Sequence, residues 1–378
     1  MSKRNESLND LGIVSINLES LRYNYKVIKG TLKIKTKIAA VLKANAYGLG
    51  IEKIAKTLQK AGCELYFVAT LKEGIELRRF LKKSTILILN GPPKYIRKVY
   101  QEFEKYKLIP VINSVDDLNS WISLLKQEKD NSTIALHFDT GMNRLGIPNH
   151  NLTEVKKSIK NSNKLNIFCI MSHLASADDE QCITNKIQKE LFDEIIFEFP
   201  NTLTSLANSS AIFNLKNYDY SFVRSGGGLF GIDPNKKNRD LKNVISLKAK
   251  ILQIRDLENE PVKSIGYNST YSVRSSLRIA VLGIGYADGY PRHLSNRGKV
   301  LIKGKLRSIV GRICMDQLMV DIGWDEAFNG DEVILMGEQN GARIHPDELA
   351  DWAGTISYEV LTSINTRVPR VYKRNNKN

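Results

Sequence analysis

The feature that most restricts this chain is a repeating rhythm between about residues 36 and 235. Short apolar runs alternate there with longer amphipathic, helix-like segments. The strand candidates are Ile38–Leu42, Leu65–Val68, Ile86–Leu89, Leu108–Ile112, Ile134–Phe138, Ile167–Met171, Leu203–Leu206 and Tyr220–Val223. Helical patterns such as Ile51–Leu58 and Leu191–Phe197 lie between them. Strands separated by helices are parallel, because parallel neighbours need a crossover. Eight such units in about 200 residues make a closed (β/α)8 barrel. A doubly wound open sheet is the competitor, but no GxGxxG follows the first strand.

After about residue 240 the rhythm changes. Val244–Ile254, Leu277–Gly283, Lys299–Ile302, Ser308–Val310, Leu318–Ile322 and Glu332–Met336 are β-like runs between Gly- and Asp-rich turns. Helical patterning returns near Glu348–Trp352 and Tyr358–Ile364. The expected organisation is a polar tail (1–10), a TIM-type barrel (11–235) and a mainly antiparallel β domain (236–378). The junction is expected at Asp233-Pro234-Asn235-Lys236-Lys237-Asn238, and the run Gly12–Leu18 is a candidate to pair with the β domain.

Composition excludes several classes. A hydrophobic content of 42% with 25% charged residues is that of an ordinary globular protein. No stretch reaches the ~20 apolar residues of a membrane span, and the start lacks the apolar core of a signal peptide. Cys63, Cys169, Cys182 and Cys314 have no CxxC spacing, so no metal site is expected. Scattered free thiols in so long a chain point to the reducing cytoplasm. The formal charge of +16 raises the question of nucleic acid. The lysines, however, are spread along the chain, and no basic helix is interleaved with aromatics. Neither a nucleic-acid nor a membrane partner is expected.

Barrel chemistry sits at the C-terminal ends of the strands. There the chain places Lys43, the segment Asp139-Thr140-Gly141-Met142-Asn143-Arg144, Ser172-His173, Asn208-Ser209-Ser210 and Arg224-Ser225-Gly226-Gly227-Gly228. A lone lysine at a strand end commonly just snorkels. Lys43 instead precedes small residues, a Tyr and two glycines in a tight loop, and a lysine with a lowered pKa forms Schiff bases readily. The glycine run offers backbone N–H groups of the kind that bind phosphate, with the Ser209 hydroxyl beside it. A Schiff-base lysine and a phosphate cradle in one mouth suggest pyridoxal 5'-phosphate.

At this point the sequence resembles the alanine racemase family. The resemblance rests on four motifs, Val41-Leu42-Lys43-Ala44-Asn45-Ala46-Tyr47-Gly48, Phe138–Gly146 (FDTGMNRLG), Gly285–Arg292 (GYADGYPR) and Val310–Asp316 (VGRICMD), and extends from about Val14 to Tyr372. It implies a pyridoxal-phosphate-dependent enzyme that interconverts L- and D-alanine, with Lys43 holding the cofactor and acting as one base. Tyr267 resembles the opposite base and fits the spacing to Met315 better than Tyr271 does. By the same resemblance Tyr47, Ser209 and Tyr358 anchor the phosphate beside the Gly226 and Gly227 backbone. His173 packs on the pyridine ring, Asn208 lies beside the cofactor, and Arg224 faces the ring nitrogen. Arg144 and the Met315 region hold the substrate carboxylate and the cofactor phenolate oxygen. Tyr286, Arg292, Arg312 and Asp178 resemble gate and entry residues. A head-to-tail homodimer with shared sites is implied, as is supply of D-alanine for peptidoglycan. A racemase of serine or of broader specificity is the alternative.

Racemisation needs acid/base groups on both faces of a planar intermediate. Lys and Tyr, at reference pKa values of ~10.4 and ~10, must both be lowered to serve as bases near neutrality. Arginine stays protonated and cannot give the pyridine nitrogen a full proton, which favours racemisation over transamination. A barrel-type decarboxylase would carry an acid where Arg224 stands, and a non-catalytic cofactor carrier would lack the β domain. Position 137 departs from the family pattern, which often has a carbamylated lysine buttressing the arginine; here it is His137. The Gly226–Gly228 run is also richer in glycine than in many relatives.

Overall fold

The structure, a computed structural model, describes residues 11–126, 131–233, 240–273 and 276–373. Two compact units emerge. One holds Leu21–Ala46 and Ile51–Leu241; the other holds the residues up to Ser20, Tyr47–Gly50 and the chain from Lys242 onward. Of the expected junction only Asp233 lies within the described residues.

After β1 (Gly12–Asn17) and α1 (Leu18–Thr31), the first unit is built on β2 (Lys37–Val41), β3 (Leu65–Val68), β4 (Thr85–Ile88), β5 (Ile109–Ile112), β6 (Ser132–Asp139), β7 (Leu165–Met171), β8 (Leu203–Ser205) and β9 (Phe222–Ser225). Helices lie between successive strands, including α2 (Ile51–Lys60) and α3 (Leu71–Phe80). All neighbours are parallel, in the order β9-β2-β3-β4-β5-β6-β7-β8. The ring closes where Arg224 N–H donates to Ala207 C=O at 2.9 Å and Ser221 N–H to Thr204 C=O at 3.1 Å. The expected barrel is therefore the observed one. Alternate strand residues turn inward, and Ala39, Val41, Leu65, Phe67, Leu87, Val111, Ala135, Cys169, Met171 and Phe222 fill its centre. This is the period-two pattern of a packed barrel interior. Strand starts match at Leu65 and Leu203 and elsewhere differ from expectation by one or two residues, because hydropathy marks burial whereas strand ends follow hydrogen bonding.

The second unit is mainly antiparallel. Its long strand β10 (Ile245–Asp256) pairs with β1, in the register Gly12↔Ala249 to Ile16↔Ile245, and with Glu332–Gln339 and Arg278–Leu282. Register shifts at Leu247/Lys248 and Ile251/Gln253 bend β10 between these partners. β1 also pairs in parallel with Arg370–Lys373, a strand that hydropathy does not reveal. The run Ser308–Val310 is not a strand of its own. Its first residue ends Lys305–Ser308, and Ile309 makes a single bridge to Val320.

Candidate active site

Lys43 stands just beyond β2, and the chain after it takes an uncommon path. Ala44 (φ 52°, ψ 50°), Asn45 (54°, 46°) and Ala46 (55°, 54°) form a left-handed turn, continued by Tyr47 (φ 56°). Such backbone costs roughly 1–2 kcal/mol for each non-glycine residue. It is held by specific bonds. Ala44 N–H donates to Glu73 Oε1 at 2.6 Å, Ala46 N–H to Leu42 C=O at 3.0 Å, and Ile51 N–H, opening α2, to Asn45 Oδ1 at 2.8 Å. Gly48 (φ 79°) completes the turn, and a Cβ there would sit 2.8 Å from Leu361 C=O. Burial lowers the Lys43 pKa and the Arg144 charge lowers it further, while Glu73 opposes both.

Arg224, at the end of β9, is only 4% exposed. Its Nη1 donates to Ser205 C=O (2.9 Å) and Ser205 Oγ (2.7 Å). Its Nη2 donates to Ser172 and Leu206 carbonyls and lies 3.3 Å from His173 Nδ1. The Nε–H has no acceptor among the described residues, so one donor of a rigidly seated guanidinium stays available. Burial lowers the Arg224 pKa to about 10, which leaves it cationic at neutral pH.

Burial and the neighbouring cations Arg224, Arg144 and Lys43, together with His137, keep His173 neutral. Burial, with Arg224 and Arg144, likewise lowers the His137 pKa to about 4, against the pull of Asp139. The His137 tautomer follows from its partner. Asn113 Nδ2 donates to Leu89 and Val111 carbonyls, which turns Asn113 Oδ1 toward His137 Nδ1 at 2.8 Å. His137 therefore donates from Nδ1, and its buried Nε2 is left as an acceptor without a partner among the described residues. Arg144 is exposed, on a loop whose start is fixed by Asp139 Oδ1 accepting from the N–H groups of Gly141, Met142 and Asn143.

The glycine loop differs from the sequence expectation of free N–H donors. Gly226 N–H and Gly228 N–H both donate to Ser209 Oγ, at 3.0 and 3.2 Å. The Ser209 hydroxyl lies 3.4 Å from Ser225 Oγ, a pair in which either oxygen can donate. Asn208 caps the helix Ser209–Asn214 through Ala211 N–H at 3.0 Å, so its amide oxygen already has a structural use.

In the second unit, the buried Tyr47 ring lies 5.7 Å from that of Tyr358. Burial, reinforced by Tyr358, raises the Tyr47 pKa, so the Tyr47 phenol remains an O–H donor at neutral pH. Tyr267 is 66% exposed on a turn with positive φ at Gly266, Asn268 and Ser269. It edges a cavity of about 680 Å³ also lined by Leu257, Ile265, Cys314 and Met319. Tyr271 instead pairs with Ile265 and packs on the apolar cluster around Val310, so Tyr267 is the phenol turned outward.

Tyr286 and Met315, both exposed, sit on two turns that are bonded together. Tyr286 N–H donates to Cys314 C=O (3.1 Å) and Ala287 N–H to Met315 C=O (3.0 Å). Arg367 joins the same turns through Asp288 (2.8 Å) and Asp316 (2.7 Å). Arg292 opens a short 3-10 turn, and Arg312 backs Gly266, whose Cβ position lies 3.2 Å from Arg312 N. Asp178 is exposed on the loop after β7.

The barrel unit thus gathers Lys43, Arg144, His173, Ser209, Arg224, Gly226 and Gly227, while the β unit carries Tyr47, Tyr267, Tyr286, Arg292, Arg312, Met315 and Tyr358. Sequence reasoning missed Glu73, Asn113, Ser205 and Arg367. These act through contacts that only the fold brings together, and no local pattern distinguishes such a residue from a surface polar one.

A parallel (β/α)8 barrel with a lysine and a buried arginine at its C-terminal mouth, joined to an antiparallel β unit, defines a class of barrel enzymes. Comparison with known proteins narrows that class. Residues 16–234 match the alanine racemase N-terminal domain and residues 244–372 the alanine racemase C-terminal domain. The alanine racemase of Rickettsia bellii is 38% identical over 344 residues, covering 89% of this chain and 81% of that protein. That of Halothermothrix orenii is 34% identical, covering 95% and 96%. Among solved structures, alanine racemase from Bartonella henselae with covalently bound pyridoxal phosphate superposes with a TM-score of 0.89 at 33% identity, covering 96% of this chain and 99% of that one. The Bacillus anthracis enzyme with bound L-Ala-P gives 0.87 at 31%, covering 98% and 97%. The chain belongs to the alanine racemase family.

Proposed function

We propose that this protein interconverts L-alanine and D-alanine using pyridoxal phosphate. The observation that carries the reading is Arg224, a buried cation whose Nη groups are spent on the barrel and whose Nε–H is left to donate. A ring nitrogen bonded to it would gain a hydrogen bond and no full proton, the arrangement suited to racemisation. The donor set fits the cofactor. Lys43 is an amine to anchor it, His173 is a neutral ring to pack on it, and the Ser209, Tyr47 and Tyr358 hydroxyls with the Gly227 N–H would take the phosphate, the Gly226 N–H being already spent on Ser209 Oγ. Asn208 lies beside it, and Arg144 with the Met315 turn would take the substrate carboxylate and the phenolate oxygen. When bound, pyridoxal phosphate supplies an electron sink for the pair left as the α-proton departs.

Lys43 Nζ and Tyr267 Oη would each hold or return that proton on one face, with Tyr286, Arg292, Arg312 and Asp178 at the entry. Lys43 and Tyr267 lie in different compact units. We read the active form as a head-to-tail homodimer in which the Tyr267 and Met315 side of the site comes from the β unit of the other protomer. The product would feed cell-wall peptide assembly in the cytoplasm.

The test is chemical. Borohydride reduction of the reconstituted protein should bleach a visible chromophore and fix the cofactor on Lys43. Lys43→Ala should lose chromophore and racemisation, by at least about 1,000-fold. Tyr267→Phe should keep the chromophore and lose most turnover. A chain without chromophore after reconstitution, or a Tyr267→Phe variant at full rate in both directions, would overturn the reading.

A further inference from the structure

We propose that Glu73 is the positioning residue for Lys43, one carboxylate oxygen holding the left-handed turn behind the lysine and the other tying that turn to the N-terminus of α3. This rests on reading Lys43 as the cofactor-bearing lysine.

The geometry is specific. Oε1 accepts from Ala44 N–H at 2.6 Å, while Oε2 accepts from Ala69 N–H at 2.8 Å and Thr70 N–H at 3.0 Å. Thr70 Oγ1 returns the favour by accepting Glu73 N–H, which completes a capping box. A capping glutamate normally serves its own helix alone. Here its second oxygen crosses to the next barrel loop and bonds the residue directly after Lys43. The strained backbone from Ala44 to Tyr47 needs such a hold, since four non-glycine residues in left-handed conformation are unfavourable without one.

The carboxylate also bears on the amine itself. Lys43 is faced by two influences that disfavour its proton, partial burial and the Arg144 guanidinium, and by Glu73, which favours it. The neighbouring His173 is neutral and adds no opposing charge. Glu73 therefore limits how far the lysine is activated while fixing where it points, two effects that one substitution series can separate.

The experiment is competitive acetylation of the full chain stripped of cofactor with hydroxylamine, read at the Lys43 peptide by mass spectrometry across pH. Glu73→Gln removes the charge and can still cap α3 through its amide oxygen. Thr70→Ala weakens the cap and leaves the charge. Below the amine's midpoint, Glu73→Gln should acetylate Lys43 roughly threefold faster than the unmodified chain. Thr70→Ala should leave that rate unchanged, and amide exchange at Ala44 should accelerate in Glu73→Ala. Equal labelling in Glu73→Gln and the unmodified chain, or equal acceleration by Thr70→Ala, would overturn the proposal. Labelling needs no cofactor, so a failure of the racemase reading would show separately, as a missing chromophore.

Discussion

At the scale of single residues, the site is a small cluster of cations tempered by two histidines that do not join them. His137 shows how. Asn113 fixes its tautomer, burial and Arg224 keep it neutral, and its pKa falls to about 4. A histidine with a folded-state pKa below its unfolded value of ~6.5 favours the fold above that value. The contribution is lost as the pH falls from about 6.5 toward 4, and it amounts to about 3 kcal/mol. His137→Gln, which cannot titrate there, should lose clearly less stability in urea unfolding between pH 7 and pH 4 than the unmodified chain. Parallel losses in the two proteins would assign the acid sensitivity to other groups. The identity of position 137 is legible in the sequence. Its protonation is not, because that depends on Asn113, Arg144 and Arg224 arriving from other strands and loops.

At the scale of elements, two turns of the β unit carry the exposed Tyr286 and Met315, and backbone proximity fixes them. A Cβ at Gly285 would lie 2.3 Å from Met315 C=O and 2.4 Å from Cys314 C=O. Gly285→Ala should therefore cost roughly 2 kcal/mol or more in urea unfolding, since only backbone movement can relieve the clash. A neutral outcome would mean the Tyr286 and Met315 turns are not held this closely. The motif Gly285–Arg292 was visible as a string of turn residues, but not its bonding to Cys314 and Met315. Periodicity located β3 at Leu65–Val68 without error and missed Arg370–Lys373, a four-residue strand made by pairing with β1 and not by its own pattern.

At the scale of the whole molecule, the proposed base pair is divided between units, and a mixing experiment reads that division directly. Neither Lys43→Ala nor Tyr267→Phe should be active alone. Refolded together in equal amounts, half of the dimers would be mixed, and each would hold one intact site. Activity should return to about a quarter of the unmodified level, as expected for two-fold dimers with shared sites. No recovery in a mixture shown to exchange subunits would place both groups in a site made by one chain. Of the chain's +16 charge the proposed function draws on Lys43, Arg144 and Arg224, while many of the other lysines pair locally or stand exposed.

The sequence by itself determined the alternation that makes a barrel, the β unit after it and the motifs that mark the family, because hydrophobic period and motif spacing are properties of the chain read in order. Tertiary structure alone decided the left-handed turn behind Lys43, the Glu73 bridge that holds it, the Arg224 Nε–H left without an acceptor among the described residues and the neutral His137. Each of these depends on groups far apart in sequence meeting in a low-dielectric interior, where burial sets the charge and geometry sets which donor is left over.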